Sequence, residues 1–71
     1  MRELHTTSEI MDELGGIKAV AELTGRKYSA AFNWRASGSF PANTYVVLIE
    51  ALKERDCVAA PSLWGMKEPA Q

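Results

Sequence analysis

The chain predicts an all-α fold of four to five short helices in a single domain over residues 1–71, and three observations carry that prediction. Inward positions recur at helical spacing, as in Ile17, Val20, Ala21 and Thr24 at i, i+3, i+4 and i+7. Glycine, serine and proline punctuate the chain between such segments, at Gly15 and Gly16, at Gly25, across residues 37–39 and at Pro41. At 71 residues there is room for one core and none for a second domain or a deep catalytic cleft, and a helical bundle is the economical way to build it.

Thr6 with Glu9 three residues later forms a capping-box pattern that opens helix 1, expected over about 7–14. Ile10, Met11 and Leu14 make its inward stripe, while Glu9, Asp12 and Glu13 face water. Gly15 and Gly16 end it, since either reaches the left-handed conformation that closes a helix. Helix 2 follows over about 17–23, with Lys18 and Glu22 outward, and the turn Thr24, Gly25, Arg26 leads into helix 3 over about 27–36. Phe40 before Pro41 restarts the chain as a hydrophobic staple, because proline fits a first helical turn whose N–H needs no partner. Helix 4, about 42–55, is apolar around more than half its circumference through Tyr45, Val46, Val47, Leu48, Ile49, Ala51 and Leu52. That is wider than one small core requires, so a second cover is expected, either another copy of the chain or the tail, 56–71. In the tail Ser62 is expected to open a single turn that buries Leu63 and Trp64, with residues 67–71 fraying.

The single cysteine, Cys57, excludes an internal disulfide, and the single histidine, His5, excludes a Cys/His metal cluster. Neither a triad nor a metal site is available, so an enzyme fails on inventory and no cofactor is expected. Cys57 lacks a basic neighbour that would activate it and reads as inert; His5 reads as solvent-facing. The opening residues carry an acid and no apolar core, and the longest apolar run is Tyr45 to Ile49, which predicts neither a signal peptide nor a membrane span. A reducing cytoplasm, bacterial or of a phage-infected host, fits.

Net charge is −1, but the charges are unevenly spread. Residues 1–25 sum to −3 and residues 36–71 to −1, while residues 26–35 hold Arg26, Lys27 and Arg35 with no acid. The acid-free basic segment is therefore helix 3 and the turn before it, and an acidic remainder would orient that face toward a polyanion.

Ala21, then Gly25 four residues on, then Trp34 nine further, resembles the helix-turn-helix of small phage repressors and Cro-like regulators, over roughly residues 7–55. Phe40 and Pro41 before an apolar helix are similar to that family's entry into its fourth helix. Arg26 replaces the family's usual aliphatic after the turn glycine, and Ala31 is smaller than the usual residue three before the tryptophan.

The resemblance implies that helix 3 reads double-stranded DNA. Carried over position by position, base contacts fall on Tyr28, Ser29, Phe32 and Asn33. Asn33 suits a bidentate contact to adenine, Ser29 bonds base or phosphate, and Tyr28 or Phe32 touches a thymine methyl. Arg26, Lys27 and Arg35 at the ends of helix 3, with Lys18 on helix 2, suit phosphates. Trp34 belongs to the core. A homodimer on a palindromic operator is implied, with Tyr45, Val46, Val47, Ile49 and Trp64 as its interface. The expected function is transcriptional regulation by promoter occlusion or partner recruitment, with no small-molecule ligand. The alternative is a protein-interaction module on the same fold, antitoxin-like or antirepressor-like, that uses the apolar helix 4 and the tail and in which Phe32 would belong to a protein interface.

Overall fold

The computed structural model describes residues 2–66 and is predominantly helical. Its elements in order are β1 (Arg2–Leu4), α1 (Thr7–Leu14), α2 (Ile17–Thr24), α3 (Tyr28–Ser37), a 3-10 turn (Ala42–Thr44), α4 (Tyr45–Glu54), β2 (Cys57–Ala59) and a second 3-10 turn (Pro61–Trp64). No described helix is long and apolar enough to cross a membrane.

Helix α1 begins where the capping residues predict. The Glu9 N–H donates to Thr6 Oγ1 at 3.1 Å. The Glu9 carboxylate accepts from the His5 N–H at 2.9 Å, one residue further back than a standard capping box. That backbone hydrogen bond, ahead of the other causes, holds the Glu9 carboxyl below its ordinary value of 4.5. Thr7, Ile10, Met11 and Leu14 turn inward along one stripe. The helix closes in a Schellman motif, with the Gly16 N–H donating to Met11 O at 2.7 Å and the Gly15 N–H to Asp12 O at 3.3 Å. Both glycines have positive φ, 108° and 103°, and a Cβ on Gly15 would stand 3.3 Å from the Ala19 Cβ. Only this pair lets α2 start at once in a new direction.

Val20 and Ala21 are the buried residues of α2, with Ile17 and Thr24 half-buried beside them. The Thr24 hydroxyl donates back to Val20 O at 2.9 Å, which satisfies it within its own helix. A single helix over 42–55 does not form. Its first turn is instead a 3-10 turn, because Thr44 donates both its N–H and its hydroxyl to Pro41 O, at 3.0 and 2.7 Å. In α4, Leu48 and Leu52 are buried, and Tyr45, Ile49 and Ala51 are half-buried against the core.

The mostly helical structure agrees with the all-α expectation, and two short strands add to it. β1 and β2 pair in parallel with Arg2 opposite Cys57, Glu3 opposite Val58 and Leu4 opposite Ala59, and the Arg2 N–H adds a bond to Asp56 O at 2.9 Å. Three-residue strands are too short to show alternation in sequence, and their pairing joins opposite ends of the chain. Asp56, at φ 59°, turns the chain from α4 into β2. Leu4 and Cys57 then drop into the core.

The tail docks, though its turn opens at Pro61 rather than Ser62. Phe40 and Leu63 are tied by the Phe40 N–H donating to Leu63 O at 2.8 Å. Four aromatic rings run in sequence through the core. Trp34 meets Phe40 edge-on at 6.1 Å, Phe40 stacks on Trp64 at 5.1 Å, and Trp64 meets Tyr45 edge-on at 5.1 Å. The Trp64 Nε1–H donates to the buried Thr44 hydroxyl at 3.1 Å, so both polar groups enter the core satisfied. The expected fraying of residues 67–71 lies outside the described residues.

Candidate functional site

The turn between α2 and α3 sets the site. The Gly25 N–H donates to Glu22 O at 3.3 Å and the Arg26 N–H to Ala21 O at 3.0 Å, a second Schellman motif around Gly25 at φ 69°. Arg26 takes part through its backbone alone and its side chain is exposed, which explains how arginine stands there without breaking the core. α3 starts at Tyr28, with Lys27 as its N-cap and no side-chain cap.

Only Ala31 and Trp34 of α3 are buried. Ala31 is fully buried in the core, and Trp34 packs edge-on against Phe40. At about 100° per residue these two fix the helix's inner side and turn Tyr28, Ser29, Phe32 and Asn33 to the other. All four are exposed, Tyr28 at 56% and Phe32 at 52%. The sequence-predicted base-reading residues are thus brought onto one open helix face.

Lys18, Arg26, Lys27 and Arg35 are exposed, and none makes an ion pair among the described residues. Arg2 and Arg55 instead converge on the Glu13 carboxylate. Four acids gather at another place, where Glu3, Glu9, Asp12 and Glu13 with Arg2 and Leu4 line a shallow cavity of about 330 Å³ between β1 and α1. Arg35 is held: its Nε–H donates to Ser8 Oγ on α1 at 3.0 Å. Ser8, Phe32, Arg35 and Ala36 line a second open cavity of about 350 Å³. Sequence reasoning missed Ser8, which stands 27 positions from Arg35 and carries no local signal.

The interface residues proposed for a second copy separate into three kinds. Val46 and Val47 are open to solvent, at 64% and 41%. Tyr45 and Ile49 are half-buried against their own chain. Trp64 is a correction: at 1% exposure, enclosed by Phe40, Tyr45 and Thr44, it has no surface left to offer a partner. The tail therefore covers the Tyr45 flank of α4.

Cys57 is buried, with its thiol directed at Arg55 O at 3.4 Å, and His5 is exposed beside Glu3. Among the described residues no group of three or more His, Cys, Asp or Glu side chains could hold a metal ion. Compared with family models, with curated proteins and with solved structures, the chain matches none, so a functional reading rests on its own residues and geometry.

Proposed function

We propose that the chain binds double-stranded DNA in a sequence-specific manner by laying α3 in the major groove, with α2, the Gly25 turn and α3 acting as a helix-turn-helix of the phage-repressor or Cro type. The observation that carries this reading is the open face of α3: Asn33, Ser29, Tyr28 and Phe32 outward, flanked by cations free of acidic partners among the described residues. A ten-residue helix is about 15 Å long, and the major groove is about 12 Å wide, so α3 can present its outward residues to base edges while its ends approach the phosphates. Regulation of transcription follows from position, as a homodimer on a palindromic operator, by occluding a promoter or by placing a partner beside it.

Selection of bound duplexes from a random pool tests the reading. Enrichment of a palindrome supports both DNA reading and two-fold symmetry, and a chain that retains no duplex at low salt overturns it. The exposed rings of Tyr28 and Phe32 favour one second reading, a protein-interaction module that uses the same face. In that case Phe32→Ala abolishes partner capture while Asn33→Ala leaves it intact.

A further inference from the structure

Arg35 differs from the other cations of the site in being anchored before any ligand arrives. Its Nε–H is committed to Ser8 Oγ at 3.0 Å. A guanidinium carries five N–H donors, so the four on its two terminal nitrogens, which lie in one plane, have no partner among the described residues. Phe32, three residues earlier on α3, and Ala36, next in sequence, form the apolar wall of the cavity that Ser8 and Arg35 border. Such a fork matches a pair of anionic oxygens, and an apolar wall matches the carbon face of a sugar.

Resting on the DNA-binding reading above, we infer that Ser8 is a positioning residue: its hydroxyl holds the Arg35 guanidinium in place as a preformed clamp for one backbone phosphate and its deoxyribose. The Ser8 to Arg35 bond is exposed to water, where a single hydrogen bond adds little to folding. Its effect falls on the ordering of a long, flexible side chain, which a phosphate contact otherwise has to bring about on binding. Phosphate contacts carry no sequence information, so the clamp acts alike on every duplex.

The test compares the full chain with Ser8→Ala, Ser8→Thr, Arg35→Ala and the Ser8→Ala, Arg35→Ala double variant. In the free protein, the Arg35 Nε–H proton exchanges with water several-fold more slowly in the native chain and in Ser8→Thr than in Ser8→Ala. Against a pool-selected duplex and an unrelated one, Ser8→Ala binds about two- to tenfold more weakly to both, the cost of ordering one rotamer-rich side chain. Its melting curve and salt slope match the native ones, because no charge is lost, and Ser8→Thr restores the affinity. Arg35→Ala makes the salt slope shallower by about one. Adding Ser8→Ala to Arg35→Ala then costs nothing more. Native affinity in Ser8→Ala, or the same loss with and without Arg35, overturns the clamp while leaving the DNA reading in place. A native chain that binds no duplex overturns that reading and the clamp with it, and the Nε–H exchange then still reports whether Ser8 holds Arg35.

Discussion

Asn33 and Trp34 are neighbours in the chain yet about 100° apart around α3, so adjacent substitutions separate recognition from folding. Asn33 is exposed and makes no side-chain hydrogen bond within the described residues, so Asn33→Ala is expected to leave the melting curve unchanged. Under the proposed DNA reading, it is expected to cost about 1–3 kcal/mol of specific affinity in a duplex titration. Trp34→Ala removes a ring packed on Phe40 and is expected to lower stability by about 3–5 kcal/mol, with binding lost only as a consequence. Thr44 offers a sharper probe of the core. Thr44→Val strands the buried Trp64 Nε1–H, which predicts a loss of about 1–3 kcal/mol in chemical denaturation. In a Trp64→Phe background the same substitution should cost less, because the orphaned donor is gone. Glu9 titrates below 4.5 in the folded chain, so its stabilisation is complete above that pH and fades as pH falls through the folded value. Glu9→Gln is expected to flatten the acid limb of a melting-temperature profile below pH 4.5, and an unaltered limb would deny the His5 N–H contact any role.

At the scale of elements, both ends of α1 and the end of α2 were readable because local chemistry closes them. Thr6 with Glu9 begins α1, the glycine pair ends it, and Gly25 ends α2 through the same two backbone bonds. The 3-10 start of α4 was not readable, since it depends on where the Thr44 hydroxyl turns once Trp64 is seated above it. The tail is a structural element. Deleting residues 62–71 removes Trp64 from between Phe40 and Tyr45, and is expected to lower stability by about 2–5 kcal/mol. That is a large share of what a small domain has. A melting temperature that survives the deletion would show that Phe40 and Tyr45 repack without it.

For the whole molecule, charge and apolar exposure are the properties that bear on assembly. The cations of α3 and its turn make no ion pair among the described residues, and under the proposed DNA binding that free charge orients the chain toward a polyanion. On α4 the tail covers the Tyr45 flank and leaves Val46 and Val47 exposed, the remaining ground for a two-fold contact. Under the proposed homodimer, the chain sediments as a dimer at micromolar concentration, and Val46→Glu or Val47→Glu splits it with helicity intact. A compact monomer at high concentration would remove the argument for a self-paired α4.

By itself the sequence determined the four helical segments, the caps that close α1 and α2 and the outward set on α3, but not the start of α4. Those features depend on interactions within about four residues, where spacing and the special conformations of glycine, threonine and proline are decisive. The tertiary structure alone decided what joins residues far apart. It paired Arg2–Leu4 with Cys57–Ala59, enclosed Trp64 between Phe40 and Tyr45, and set Ser8 against Arg35. Such contacts become favourable only after the intervening chain has closed its loop, an entropic cost that no local pattern records. Trp64 shows the consequence most plainly. Its apolar surface marked it for burial, and only the path of the folded chain made its own core, rather than a second copy, the place where that burial occurs.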